Sequence, residues 1–266
     1  MKRISITPLI FILMSCLVAH SQTKKSSADI QDPIVQKRLI NIKARFEQLP
    51  ADKITAYQDL KQKAIEANQK QKYFTALIAA NDALAIFDDD IDLLWLKGVC
   101  YAQLNEKEKA VANYKKALAI HPNHAPSLLN IVEIYYYHGD YKQAIYYMVY
   151  IRKFLNSVGE NPSPLFDFKY LITLTKLVKD QPDEYSSDLE EMQRRYNYMD
   201  DNLYYYYAKA LSELDKGNKN EGQVWIYKAT TVFQNANLIK IWNKALEDSD
   251  FLEGHDIVID SNAKKR

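Results

Sequence analysis

Ala76, Ala110 and Ala144 follow one another at intervals of 34 residues, and the same interval joins Ala64 to Gly98 and Ala83 to Ala117. This recurrence of small side chains most constrains the fold. A unit so short cannot bury its own apolar face and has to stack on copies of itself. Small residues also have a definite use in such a stack: where two antiparallel helices cross, they let the backbones approach closely. The composition agrees. With 6 glycines and 8 prolines in 266 residues, turn formers are too few for a loop-rich β architecture.

The clearest unit runs from Ile91 to His124 and ends in the string AVANYKKALAIHPNHAP. Gly98 is followed by Tyr101, then by Ala110, Tyr114, Ala117 and Pro122. The two tyrosines would fill the space between the small crossing residues. Pro122 cannot continue a helix, so it would stop the chain and turn it. This pattern resembles the tetratricopeptide repeat. It departs from it in two places: Leu94 stands where the family usually has tryptophan, with Trp95 one position late, and Lys97 replaces the usual leucine before Gly98. One period forward the positions are Val132, Tyr135, Ala144, Met148 and Ile151, with the turn Gly139-Asp140-Tyr141 between the helices. One period back they are Ala64, Ala67, Ala76, Ala80 and Ala83. The resemblance implies an all-α, tetratricopeptide-type helical solenoid, a right-handed superhelix of antiparallel helix pairs, with three repeats over residues 57–156.

Other segments flank those repeats. Ala210, Gly217-Asn218, Gly222, Ile226 and Ala229 suggest a degenerate repeat over 203–236. Between them, residues 158–202 read as an irregular helical pair, itself a degenerate repeat: Pro162 and Pro164 precede FDFKYLITLTKLVK, and Leu189, Met192 and Tyr196 recur at helical spacing. A stack needs its ends covered. The helix within 33–50, starting after Asp32-Pro33 and ending at Pro50, is the expected front cap. A helix within 237–250, with Leu238, Ile241, Trp242 and Ala245 on one face, is the expected rear cap. A polar tail, 251–266, contains Ile257-Val258-Ile259, for which we have no account.

The first residues read as an address. Lys2 and Arg3 precede the apolar run Leu9 to Met14, and Ala19 and Ser21 are small where a signal peptidase inspects. Residues 1–21 are therefore expected to be a secretory signal cleaved before Gln22, followed by a polar, flexible leader over 22–32. The run is too short to span a membrane, and no later segment is long enough. An alternative reading treats Leu13-Met14-Ser15-Cys16 as resembling a bacterial lipobox, with Cys16 lipidated. The expected destination is the periplasm or cell envelope, or secretion; the alternative is an outer-membrane lipoprotein.

Charge and motifs narrow the chemistry. Formal charge is +1, and loss of Lys2 and Arg3 with a leader would take it to about −1. No field of one sign is available to draw in nucleic acid. Cys100 reads as a buried, inert thiol. His121 and His124 flank a proline turn without a carboxylate or cysteine cluster, and are expected to be solvated rather than metal-binding. His138 reads as a helix C-terminal residue facing the dipole, and His255 is uninformative. Asp88-Asp89-Asp90-Ile91-Asp92 lacks the glycine and distal glutamate of a calcium loop, and acids at a helix start favour a capping role. No phosphate loop, nucleophile elbow, HExxH or CxxC occurs. The expectation is a protein without enzymatic activity, metal or cofactor.

By resemblance to the family, the first helix of each repeat lines a concave groove that binds a peptide or protein partner. Carried onto this chain, the groove candidates are Lys61, Ile65 and Asn68, then Trp95 and Gln103, then Leu129, Glu133 and Tyr136, and later Tyr204 and Tyr207. The packing positions are Ala64, Ala76, Ala83, Gly98, Tyr101, Ala110, Tyr114, Ala117, Pro122, Tyr135, Ala144, Ala210 and Ala229. The family's clamp for a terminal carboxylate is missing: Ile65 follows Lys61 where asparagine is needed, and Leu96 occupies the next asparagine place. The expected function is an exported interaction scaffold or adaptor, the alternative a lipid-anchored component of outer-envelope assembly.

Overall fold

A computed structural model describes residues 32–253, and these are all-α. The expected signal segment, Cys16, most of the leader, His255 and the Ile257 run lie outside the described residues. The chain divides into two compact units between Ile134 and Tyr135. The boundary falls inside one helix of the third expected repeat.

The first unit contains α1 (Pro33–Glu47), α2 (Ala51–Gln69), α3 (Tyr73–Ile86), α4 (Ile91–Gln103), α5 (Lys107–Ile120) and most of α6 (Ala125–Tyr137). Asp32 caps α1 by accepting from Ile34 N at 2.8 Å, and Pro33 occupies the first turn, where its missing N–H is not needed. Helices α2 and α3 pack as a pair, as do α4 and α5, and α3 packs on α4. Ala64, Ala76, Ala83, Ala110 and Ala117 are fully buried at these crossings. Tyr114 is buried as well, while Tyr101 and Pro122 are half-buried. A methyl group on Gly98 would lie 2.5 Å from Cδ1 of Tyr114 and closer still to Cε1, so only glycine admits that ring.

The turns repeat as faithfully as the helices. Gln71, Asn105 and Gly139, spaced by 34 residues, all adopt left-handed backbone, with φ of 57°, 60° and 72°. Each completes the same C-terminal cap. The next residue's N–H donates back to a carbonyl in the last turn: Lys72 to Ala67 O at 2.8 Å, Glu106 to Tyr101 O at 2.9 Å, Asp140 to Tyr135 O at 2.8 Å. The cap recurs at Gly217, where Asn218 N donates to Glu213 O at 2.9 Å.

Helix α1 does more than close the front. Ile42 and Phe46 pack against the core of the first pair, with Phe46 edge-on to Tyr57 and Phe87 at 5.1 Å each. Arg45 pairs with Asp88 and Asp89. Further along, Arg38 donates to Ala119 O and Ile120 O, unpaired carbonyls at the end of α5.

The second unit contains the end of α6, then α7 (Tyr141–Ser157), α8 (Pro164–Leu177), α9 (Pro182–Gln193), α10 (Tyr204–Asp215), α11 (Lys219–Phe233) and α12 (Ala236–Asp248). Its organising element is α8, buried on every side from Phe166 to Thr175. It packs against α7, α9, α10 and α12. Ser163 caps it, accepting from Phe166 N at 3.2 Å, and Pro164 opens it. The segment that looks irregular in sequence thus supplies the core helix of this unit. Tyr135, Ala144, Ala210 and Ala229 are buried in this unit. On α12 the buried face is Ile239, Trp242, Ala245 and Leu246. Leu238, expected on that face, is exposed and Ile241 is half-buried, because stacking of Trp242 on Phe168 at 5.1 Å sets the rotation of the helix.

Candidate functional site

Several side chains on α2, α4 and α6 of the amino-terminal unit are not consumed by core packing. Ile65 and Trp95 touch the core of the first repeats yet remain half-buried, and Leu129, Gln103 and Glu133 are half-buried too. The indole N–H of Trp95 is shielded from water and has no acceptor. Buried donors are rarely left so.

Asp90 organises the charged groups at the start of α4. One carboxylate oxygen accepts from Leu93 N at 2.8 Å and caps α4, which confirms capping as the use of that aspartate. The other accepts from the Tyr57 hydroxyl and from Lys61 Nζ, the latter at 2.6 Å. Lys61 also reaches Asp92 at 3.3 Å. Burial and the Asp90 carboxylate push the Tyr57 phenol up. Burial alone would pull Lys61 down, but Asp90 and Asp92 outweigh it and its pKa is raised. Lys61 is therefore a held ammonium. The other two acids of the run pair with Arg45, and among the described residues no cluster of His, Cys, Asp or Glu could hold a metal ion.

Four of the groove candidates are not on an open surface. Asn68 is buried and accepts from the Cys100 thiol at 3.6 Å; burial pushes that thiol up to about 12, consistent with an inert cysteine. Tyr136 is fully buried, donating to Ala245 O at 2.7 Å beneath the Lys169 ammonium. Tyr204 and Tyr207 are fully buried, donating to Met192 O at 2.6 Å and Asn243 Oδ1 at 2.5 Å. For Tyr204 and Tyr207 the reason is α8: Phe168 packs on both rings and stacks with Trp242, filling the face that the repeat register left open. The histidines of the α5–α6 turn are not solvated either. His121 is buried, and His124 is half-buried with Nδ1 2.8 Å from Ser127 Oγ. Burial pulls His124 down to about 4.

Sequence reasoning missed a charged cluster in the second unit. Asp167, fully buried on α8, accepts from Arg152 of α7, from Arg195 Nε at 2.5 Å and from Tyr196 at 3.1 Å. Burial pushes its carboxyl up, against the opposing pull of both arginines. A signal for it existed: a carboxylate inside the apolar string LFDFKYLITL has to find cations. The cluster ties α7, α8 and the segment after α9 together, which is a structural use.

Residues 96–124 match the tetratricopeptide repeat family. No curated protein matches the chain. Among solved structures, TTC0263, a tetratricopeptide protein of Thermus thermophilus, is 18% identical, with 71% of this chain and 98% of that one covered and a TM-score of 0.41. The tetratricopeptide domain of P58(IPK) is 16% identical, with coverage of 74% and 67% and a TM-score of 0.37.

Proposed function

We propose that this chain is an exported, non-catalytic adaptor that holds a peptide or protein partner on the first helices of its amino-terminal unit. The observation that carries the proposal is the incomplete burial of Trp95, Ile65 and Leu129, with the held ammonium of Lys61 one turn from Ile65, while Leu93, Leu96 and Leu128 of the same helices are buried. Tryptophan is among the residues enriched at interaction hot spots. The matched repeat at 96–124 supports a partner-binding role in general. Export rests on the amino-terminal pattern.

A photoreactive amino acid placed at Gln103 should form discrete adducts in intact cells, and the same group at exposed Lys115 on α5 should not. Trp95→Ala should abolish the Gln103 adducts while the circular dichroism stays helical. Equal adducts from both positions, or adducts indifferent to Trp95→Ala, would remove the proposal. Incorporation of a palmitate analogue, lost in Cys16→Ala, would favour the lipid-anchored reading.

A further inference from the structure

The same set of side chains carries a charge imbalance, and this deepens the reading of it as a peptide site. Lys61 is the cation there, shared between Asp90 at 2.6 Å and Asp92 at 3.3 Å. Asp90 is spent on the cap of α4, on Tyr57 and on Lys61. Asp92 keeps a side-chain exposure of 73%, whereas Lys61 keeps only 27%. What the site offers to solvent is therefore a carboxylate with a retracted ammonium behind it. Trp95, three residues beyond Asp92 on α4, and Ile65, four beyond Lys61 on α2, are the half-buried apolar side chains next to these charges.

We infer that the site selects a cationic peptide segment, one in which lysine or arginine alternates with large aliphatic residues. An acidic segment or a terminal carboxylate would meet Asp92 before it met Lys61, and would have to displace two carboxylates already bonded to that ammonium. Like-charge juxtaposition of this kind suppresses wrong partners strongly, while a basic segment is drawn in. A basic side chain can add to the outer oxygen of Asp92 while the aliphatic residues cover Trp95 and Ile65.

The inference rests on the proposed function, and one experiment separates their failures. Two fluorescein-labelled peptides of equal length are compared, sharing the same leucines but carrying lysines in one and glutamates in the other. The lysine peptide should bind at least about tenfold tighter at low salt, with the difference shrinking as salt rises. Asp92→Lys should reverse the preference, and the milder Asp92→Asn should reduce it. Trp95→Ala should weaken binding of the preferred peptide, all variants being compared at wild-type helical circular dichroism. A preference for the glutamate peptide, or none, with binding still lost in Trp95→Ala, overturns the charge inference and leaves the site standing. Binding of both peptides indifferent to every substitution overturns both.

Discussion

The ring of Tyr114 occupies the space that a side chain on Gly98 would need, and its hydroxyl accepts a hydrogen bond from Asn130 Nδ2 at 3.1 Å. A single aromatic thus locks α5 against α4 on one side and ties it to α6 on the other. Gly98→Ala should destabilise the amino-terminal unit by roughly 1–3 kcal/mol, the usual penalty for overpacking a close crossing. Urea denaturation followed by circular dichroism measures it. Adding Tyr114→Leu should recover part of the loss, because the smaller side chain vacates the site; full additivity of the two losses would show that the ring is not the obstacle.

Gln71 and Gly139 occupy equivalent turns with the same left-handed backbone, yet only one is glycine. An ordinary side chain in that conformation carries a penalty of roughly 1–2 kcal/mol, part of which the lost flexibility of glycine offsets. Gln71→Gly should raise the melting temperature, with a gain of about 0.5 kcal/mol, and Gly139→Ala should lower it by about 1 kcal/mol. Opposite signs at two equivalent turns would be hard to obtain by any other cause. Equal signs would refute the strain argument.

Asp167 is buried between Arg152 and Arg195. Breaking a buried pair from one side leaves charge without compensation, so Asp167→Asn should destabilise the second unit by about 3 kcal/mol. Hydrogen exchange should place the loss in α7, α8 and the segment after α9. Replacing all three partners with apolar residues of similar volume should be far milder than the single substitution, and a larger loss on triple replacement would contradict this.

His124 is held neutral, its pKa pulled from 6.5 down to about 4 by burial. The unfolded chain binds a proton at this residue before the folded one does, so stability falls as pH drops from about 6.5 toward 4 and is level above that window. The contribution is about 2 kcal/mol, reduced from the full displacement because the ring keeps some solvent contact. His124→Asn should flatten that part of the pH profile relative to wild type. Its imidazole resonances in NMR should titrate near 4, and a midpoint near 6.5 would disprove the assignment.

How much of this was legible beforehand depends on the distance over which each cause acts. The small residues at helix crossings and the turn at Gly139 were readable because each is decided within one or two repeats. So was capping by Asp90, a local matter of a carboxylate beside free N–H groups. The cap at Gln71 was not, since glutamine does not announce a left-handed backbone, whereas Asn105 is of a type that tolerates one.

The amino-acid order alone determined that this chain forms paired helices at one repeated interval, since steric access at a crossing is written in the size of single residues such as Ala76 and Gly98. It also determined which side of each helix faces its own partner. Tertiary structure alone decided what happens to the remaining side. Tyr204 and Tyr207 share their register with Asp92 and Trp95, yet the tyrosines are buried because α8 and α12, elements outside the period, lie on them. Periodicity fixes the direction of a side chain, and only packing between distant segments fixes whether anything is waiting there.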